Sequence, residues 1–356
     1  MSGSTKKLRL KGPILIIRTD AIGDLLLTTP MVTMLKRAEP ELEIDLLAGE
    51  RAAHILEGTS EIRRVLVDPL SFWERVRTIR RGDYHWAILA RPEPSLAFAL
   101  WLAGVPFRVG TSRRLYSPLF NRPVRLKRKL GGRHEAEYNA ELLGPMGISN
   151  ERIPWVKLEV TDEQRDSARE LLDDNGLAPD LGFVVVHPGS RGSAPNLPYA
   201  TYGEIVRGLR EMGMPVVLTG SEEEVYPLAA LVEQGTSGGD TTDAPLVNLA
   251  GQTSLPALIG VLAGARLMIA SSTGPMHLAA ATGTPVIVPY GLRPAISATR
   301  WKPWVAPEHY TLVLPGEAEC PERCTGRCGR EGCLATLGAE SFLRHASSRL
   351  KGLVRD

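Results

Sequence analysis

Apolar and polar positions change period in a regular way along this chain. Residues 14–17 form a four-residue apolar run, short enough for one buried strand. Arg18, Thr19, Asp20, Gly23 and Asp24 then break the apolar pattern. Beyond them Leu25, Leu26, Met31, Met34 and Leu35 recur at helical spacing, and the run ends in Lys36 and Arg37. The pattern predicts a strand, a polar loop over 18–24 and a helix over about 25–36, the opening unit of a nucleotide-binding type of α/β domain. In open α/β folds such loops lie at the carboxyl edge of the sheet, where ligands bind. The alternation continues with strands expected at 42–47, 65–67 and 86–90, and helices at 52–56, 72–80, 96–102 and 135–146. The second half repeats it, with strands at 183–187, 215–219, 246–249, 267–270 and 285–289. Helices are expected there near 199–212, 223–234, 255–263 and 275–282. Strands alternating with helices at this interval predict parallel sheets with helical crossovers, an α/β protein of two doubly wound halves.

Between the halves, Thr161 and Gln164 fit a capping box that opens a helix running to about Asn175 and stopping at Gly176. The expected organisation is a flexible basic leader at 1–11, a first domain at 12–160, a linker region at 161–182 and a second domain at 183–335. A terminal helix at 336–356 carries Phe342, Leu343, Leu350 and Val354 as its apolar stripe.

Composition narrows the classes. With 356 residues and 43% hydrophobic content the chain can bury two cores. A formal charge of +2 gives no global case for nucleic-acid binding. No apolar run approaches the roughly 20 residues of a membrane span, and the leader lacks an apolar signal core. A cytoplasmic location is expected. Charge is concentrated in one place: residues 108–133 hold nine Lys or Arg and no acid. The plain reading is a solvated face. The sharper one is a basic rim, with Arg113 and Arg114 in it, that attracts an anionic acceptor or anionic lipid headgroups on the cytoplasmic face of the inner membrane.

Several motifs follow strands. Asp24 either caps the next helix or presents a carboxylate as a base. After the strand at 183–187 comes His187-Pro188-Gly189-Ser190, whose Gly and hydroxyl can offer N–H and O–H groups to a phosphate. Gly220-Ser221-Glu222-Glu223-Glu224 is a helix-start pattern. Its acids either favour the dipole or bind a ribose hydroxyl pair. Ser271-Ser272-Thr273-Gly274-Pro275-Met276-His277 opens an Ala-rich helix. Its first-turn N–H groups, those of Gly274, Met276 and His277, form a ready anion site. Cys320, Cys324, Cys328 and Cys333 stand within fourteen residues. That spacing differs from paired zinc knuckles, so a structural zinc or cluster and free or paired thiols are both open.

Two of these stretches together, Arg18-x-Asp20-x-Ile22-Gly23-Asp24-x4-Thr29-Pro30 and Ser272-Thr273-Gly274-Pro275-Met276-His277-Leu278-Ala279-Ala280-Ala281, resemble the signatures of glycosyltransferase family 9, the heptosyltransferases of lipopolysaccharide assembly. The resemblance spans about 12–291. It implies a GT-B fold, two Rossmann-like domains facing a cleft, and an inverting glycosyltransferase. The implied donor is a nucleotide sugar, most often ADP-heptose, and the implied acceptor an anionic glycolipid or glycan of the lipopolysaccharide core. No cofactor is required. Asp24 is the implied base. At an ordinary pKa of about 3.9 it is ionised at neutral pH without tuning. Gly189, Ser190, Gly220, Ser221, Glu224, Thr253, Ser272, Thr273, Gly274, Pro275, Met276 and His277 are the implied donor residues. Thr253, in Gly251-Gln252-Thr253-Ser254, lies near the base of the nucleotide. Arg18, Arg113 and Arg114 are assigned to the acceptor. The chain has no Asp-x-Asp pair, which fits chemistry without a catalytic metal. It departs from the family at Pro195, where a basic residue is usual, at Leu197, where Trp is usual, and at Ser272, where many members carry Asp. Arg191 is a substitute cation by position. Pro195 and Ser272 keep one alternative in view, nucleotide-sugar binding without transfer; a second alternative is a related GT-B enzyme that uses another activated sugar or builds a different surface glycan.

Overall fold

The strand β1, Ile14–Arg18, is buried along its whole length, which is what an uninterrupted apolar run requires of a central strand in a parallel sheet. It pairs in parallel with β2 (Ile44–Ala48) on one side and β4 (Trp86–Leu89) on the other. The computed structural model describes residues 10–56, 58–69, 71–130, 132–178, 181–190, 192, 194–236, 244–316 and 332–353. Chain contacts divide them into two compact units, Met1–Val156 and Lys157–Asp356.

In the first unit β3 (Arg64–Val67), β5 (Phe107–Thr111) and β6 (Arg122–Val124) complete a parallel six-stranded sheet of order β3-β2-β1-β4-β5-β6. Leu15, Ile17, Leu47, Val76, Ile79, Leu96, Leu100 and Phe120 form a core on one of its faces. The second unit contains β7 (Val184–His187), β8 (Val216–Leu218), β9 (Leu246–Asn248), β10 (Leu267–Ala270), β11 (Val286–Pro289) and β12 (Tyr310–Val313). Their order is β12-β11-β10-β7-β8-β9, again parallel throughout. Counted from its own first strand, each unit has the same topology. Each changes winding direction once, between β1 and β4 in the first unit and between β7 and β10 in the second. The crevice outside the carboxyl ends at such a switch point is where open α/β sheets take ligands.

The helix after β1 departs from expectation. Instead of one helix over 25–36 there are two, Ile22–Leu26 and Pro30–Ala38. Pro30 supplies no N–H and is at home at the start of a new helix. Thr28 and Thr29 take up carbonyls of the first, Thr28 Oγ1 donating to Asp24 O and Thr29 Oγ1 to Leu26 O, each at 2.8 Å. Asp24 thus sits inside a short helix rather than in an open loop. The basic stretch 108–133 begins within β5 and contains β6, so it is part of the sheet and not only a rim. β12 is a further strand beyond the expected set.

The capping box at Thr161 forms as the sequence predicts: Gln164 N–H donates to Thr161 Oγ1 at 3.2 Å and Thr161 N–H to Gln164 Oε1 at 3.0 Å. The helix it opens, Asp162–Asp174, lies against Leu255–Gly264 so closely that a Cβ on Gly260 would overlap the Gln164 carbonyl. The terminal helix Ala339–Leu353 buries Phe342, Ala346 and Leu350 in the second unit's core. Val354 and residues 1–9 of the leader lie outside the described residues. No described helix is long and apolar enough to cross a membrane.

Candidate active site at two switch points

In the first unit the site is built around Arg18, the last residue of β1. Its guanidinium is buried, with 3% exposure, and a buried cation must be paired. Nε donates to Asp20 Oδ1 at 2.7 Å, Nη2 to Asp24 Oδ1, and Nη1 to Glu135 Oε1 at 3.1 Å and Asn139 Oδ1 at 3.4 Å. Burial alone would favour the neutral guanidine, but the fields of Asp24, Asp20 and Glu135 outweigh it and hold Arg18 charged.

Asp24 is the third residue of helix Ile22–Leu26. Ala21 is the N-cap, and its side chain makes no cap bond. The carboxylate therefore does not cap the helix; it is turned onto Arg18. Burial pushes its carboxyl up to about 6, Arg18 pulls it down, and the Asp20 and Glu135 charges add to the rise. The expectation of an untuned aspartate is corrected here. Three carboxylates share one buried cation, so Asp24 holds its negative charge less readily than a solvated aspartate.

Glu135 opens the helix Glu135–Glu141 and Asn139 lies one turn on; they are 1% and 0% exposed. Sequence reasoning missed both. The available signal was local: Glu135 is among the first acids after an acid-free run, and Asn139 follows at i+4 on the same helix face. Arg128 joins the same pair, its Nε 3.3 Å from Glu135 Oε1 and its Nη2 donating to Asn139 Oδ1 at 2.8 Å. Its Nη1 donates to Ala90 O, just past β4, at 2.6 Å. Arg128 also lines a cavity of about 610 Å³ together with Arg113, Arg114, Arg125 and Lys127. Two of the three arginines assigned to the acceptor, Arg113 and Arg114, thus meet in one pocket. Arg18 is not part of its wall but is joined to it through Glu135. Not all of the basic run is a solvated face: Arg108 is turned onto the carbonyls of Val105 and Leu119, and Arg122 lies over the Phe107 ring at 5.1 Å.

In the second unit the switch point lies between the loops after β7 and β10. Ser271 Oγ, at the end of β10, donates to Gly189 O at 2.7 Å and ties the two loops together. Gly189 is closely approached: a Cβ there would overlap the Glu224 carboxylate. Glu224 Oε2 accepts from Ser221 N–H at 2.8 Å and Ser221 Oγ at 3.1 Å, a capping box on the short helix Glu222–Glu224. Gly251 N–H donates to Gly220 O at 3.1 Å, and at φ +72° its backbone passes against Glu222 and Val225. Gly189, Gly220, Ser221, Glu224 and Ser271 are therefore neighbours, and the loop with Thr253 adjoins them.

Helix Gly274–Ala281 starts from an extended Thr273 that offers no side-chain cap, with Pro275 in the first turn. One element of the expected anion site changes. His277 N–H already closes on Thr273 O at 3.3 Å, the first intrahelical bond. Of the N–H groups assigned to an anion, those of Gly274 and Met276 precede that bond. The His277 ring is 7% exposed in a helix that is otherwise apolar. Ser272 hydrogen-bonds the Tyr290 phenol, which burial pushes up.

The departures at 195–197 have a packing account. Leu197 is 2% exposed and belongs to the core that holds Val186, Tyr202 and Ile205. Asn196 binds Pro188 O through Nδ2 and accepts from Tyr202 Oη at 2.8 Å. The loop after β7 is thus held by the Asn196 amide and by Leu197, the latter at the position where the family pattern has an indole. Arg191, Cys320, Cys324 and Cys328 lie outside the described residues. Cys333 is a free thiol placed beside Gly291. Among the described residues no group of three His, Cys, Asp or Glu could hold a metal.

Comparison with known proteins adds to this geometry. A model of glycosyltransferase family 9 (heptosyltransferase) matches residues 72–324. A Haemophilus influenzae relative named "Putative glycosyltransferase" is 30% identical over 306 residues, 82% of this chain and 85% of its own. Lipopolysaccharide heptosyltransferase 3 of Escherichia coli K12 is 27% identical, over 79% of this chain and 82% of its own. The structure of Escherichia coli ADP-heptose lps heptosyltransferase II superposes with a TM-score of 0.77 at 21% identity, covering 96% of this chain and 99% of that one.

Proposed function

The chain belongs to glycosyltransferase family 9, and from that membership we propose that it moves heptose from ADP-heptose onto an anionic lipopolysaccharide-core acceptor, with inversion. The observation that carries the reading is the Asp24 carboxylate at the β1/β4 switch point, bound to a buried arginine and lifted to about 6. A group with that affinity is ionised at neutral pH and still takes up a proton readily, as a general base must. The acceptor hydroxyl gives its proton to Asp24 as its oxygen attacks the anomeric carbon. The bond from that carbon to the phosphate oxygen breaks, and its electron pair leaves with ADP.

Charge then develops on the diphosphate. The N-terminus of helix Gly274–Ala281 and the loop of Gly189 and Ser190 are the groups proposed to receive it, with His277 lining the site. Backbone dipoles fixed in advance stabilise such charge without reorganising, so the reaction is read as independent of a metal. Glu224 is assigned to the ribose and Thr253 to the base. This assignment draws support from the close approach of Gly189 to Glu224 and of Gly251 to Glu222. The cationic cavity of the first unit is assigned to the acceptor's anionic groups. Leu130 in its wall and nearby Leu115 are exposed hydrophobics, which supports a peripheral stance on an anionic membrane surface.

The test is a thermal-shift panel of nucleoside diphosphates and their sugars, followed by ADP release with a core acceptor. The expected outcome is stabilisation selective for ADP species. It is lost in His277→Ala and kept in Asp24→Asn, while Asp24→Asn loses transfer by roughly 10²–10⁴-fold. Stabilisation by UDP, GDP or dTDP species instead would discard heptose as the donor, and transfer by folded Asp24→Asn near the wild-type rate would discard the base. A second reading, donor binding without transfer, is favoured by Pro195 in place of a cation. It predicts the same donor shift with no nucleotide release from any acceptor.

A further inference from the structure

Arg128 belongs to two assemblies at once. Its guanidinium is in the wall of the cavity with Arg113, Arg114, Arg125 and Lys127. It also reaches two of the four partners of Arg18: Glu135 Oε1 lies 3.1 Å from Arg18 Nη1 and 3.3 Å from Arg128 Nε. Asn139 Oδ1 is 3.4 Å from Arg18 Nη1 and 2.8 Å from Arg128 Nη2. Two guanidiniums therefore compete for one buried carboxylate and one buried amide. Asn139 also holds the backbone that carries Asp24, because its Nδ2 donates to Leu27 O at 3.0 Å and to Thr28 Oγ1 at 3.2 Å. Thr28 Oγ1 in turn donates to Asp24 O.

We propose that the cavity binds a phosphate-type anion and that Glu135 and Asn139 are positioning residues coupling its occupancy to Asp24 through Arg18. The proposal rests on the assignment of the cavity to the acceptor, and it adds that an occupied cavity changes the base. An anion beside Arg128 draws that guanidinium outward and weakens its hold on Glu135. Glu135 then pairs more fully with Arg18, and Arg18 has less charge to spare for Asp24. Every group that faces Asp24 enters this balance. Arg18 comes from β1 and Asp20 from the loop after it. Glu135 and Asn139 come from helix Glu135–Glu141, and Arg91, after β4, reaches Asp20 at 3.9 Å. The sign is fixed by charge: less Arg18 field at Asp24 means a carboxyl that holds its proton to higher pH.

The Asp24 γ-carboxyl carbon, labelled through ¹³C-aspartate and assigned by its absence in Asp24→Asn, reports this without any transfer reaction. Its titration would be followed in wild type, Glu135→Gln and Arg128→Gln. Each would be measured in chloride, in inorganic phosphate and in a soluble short-chain phosphatidylglycerol, at one ionic strength. In wild type the midpoint is expected to rise by about half a pH unit with phosphate. In Glu135→Gln it is expected to start lower, because a negative neighbour is gone, and to ignore the anion. Arg128→Gln is expected to start higher and also to ignore it, which keeps the test available if Glu135→Gln does not fold. A response to both anions assigns the phosphate group alone, and a response to the lipid only assigns a headgroup; either supports the coupling. No response in wild type to either anion overturns the proposal, as does an equal response in Glu135→Gln. The readout is separate from the base assignment. A flat titration leaves Asp24 free to be the base, and an active Asp24→Asn leaves the coupling measurable.

Discussion

Lowering the pH from 8 to 5 should switch this enzyme off within a window where an ordinary aspartate would not notice. The structure lifts the Asp24 carboxyl from the ordinary 3.8 to about 6 through burial, against the pull of Arg18. If only ionised Asp24 accepts the acceptor proton, kcat/KM follows its ionised fraction in the free enzyme. At pH 5 that fraction is about one-tenth for a midpoint near 6, against more than about nine-tenths for one at the ordinary value. The assay is ADP release at subsaturating acceptor, in buffers of constant ionic strength. The rate should fall about tenfold per pH unit below 6 and level off above 7. Stability supplies an independent check with its own sign. Because the pKa is raised on folding, the proton favours the native state. That contribution is full below about 3.8 and is lost as pH rises through about 6, at a cost on the order of 3 kcal/mol by pH 8. Asp24→Asn, neutral at all pH, should lack this loss, so its melting temperature should gain on wild type between pH 5 and 8. A rate profile flat down to pH 5, with parallel melting curves for the two proteins, would refute the account of a buried, destabilised carboxylate.

Three other outcomes follow from particular contacts. Asp45, fully buried in β2, would be pushed up by burial, but hydrogen bonds from Arg63, Arg64 and Tyr84 win and hold it below the ordinary range. Its stabilisation is present above about pH 4 and lost as pH falls below it. Asp45→Asn should cost about 1–3 kcal/mol at neutral pH, measured by urea unfolding, and an unchanged midpoint would show the cluster to be neutral. Gly260→Ala should lower the melting temperature with a cost of about 1–3 kcal/mol, because the new methyl meets the Gln164 backbone rather than a movable side chain; no change would mean that helices Asp162–Asp174 and Leu255–Gly264 can part freely. Exhaustive chelation should leave ADP release unchanged, and a loss restored by Mg²⁺ would overturn the metal-independent reading.

Much of the frame was legible because buried parallel strands write themselves as apolar runs: β1, β7, β10 and β11 are buried throughout. β5, β6 and β12 were not. Phe107–Thr111 interleaves Arg108 and Gly110 with its apolar residues, Arg122–Val124 is three residues long with a proline at its centre, and Tyr310–Val313 is half-buried. A strand that packs on one side only, or is very short, leaves little pattern to read. The site divides in the same way. Asp24, Gly189, Ser190 and the 271–277 motif follow strands directly, so local order exposes them. Glu135 and Asn139 reach Arg18 across 117 and 121 residues of chain, a pairing that only the folded sheet brings about. The break of the first helix at Thr28-Thr29-Pro30 was visible as a proline but was outweighed by the apolar spacing around it.

Pro123 has a consequence of another kind. Among the described residues β6 pairs only with β5, with Pro123 opposite Gly110, and it stands at the edge of the first sheet. A proline there removes the one N–H that a foreign strand would need at the centre of a three-residue edge, and Arg122 beside it adds charge repulsion between like copies. The same three residues that are nearly invisible as a strand keep one molecule from adding itself to the next. Pro123→Val would leave the fold standing and give the protein a sticky margin: its loss would appear as turbidity on concentration, long before any change in melting or in catalysis.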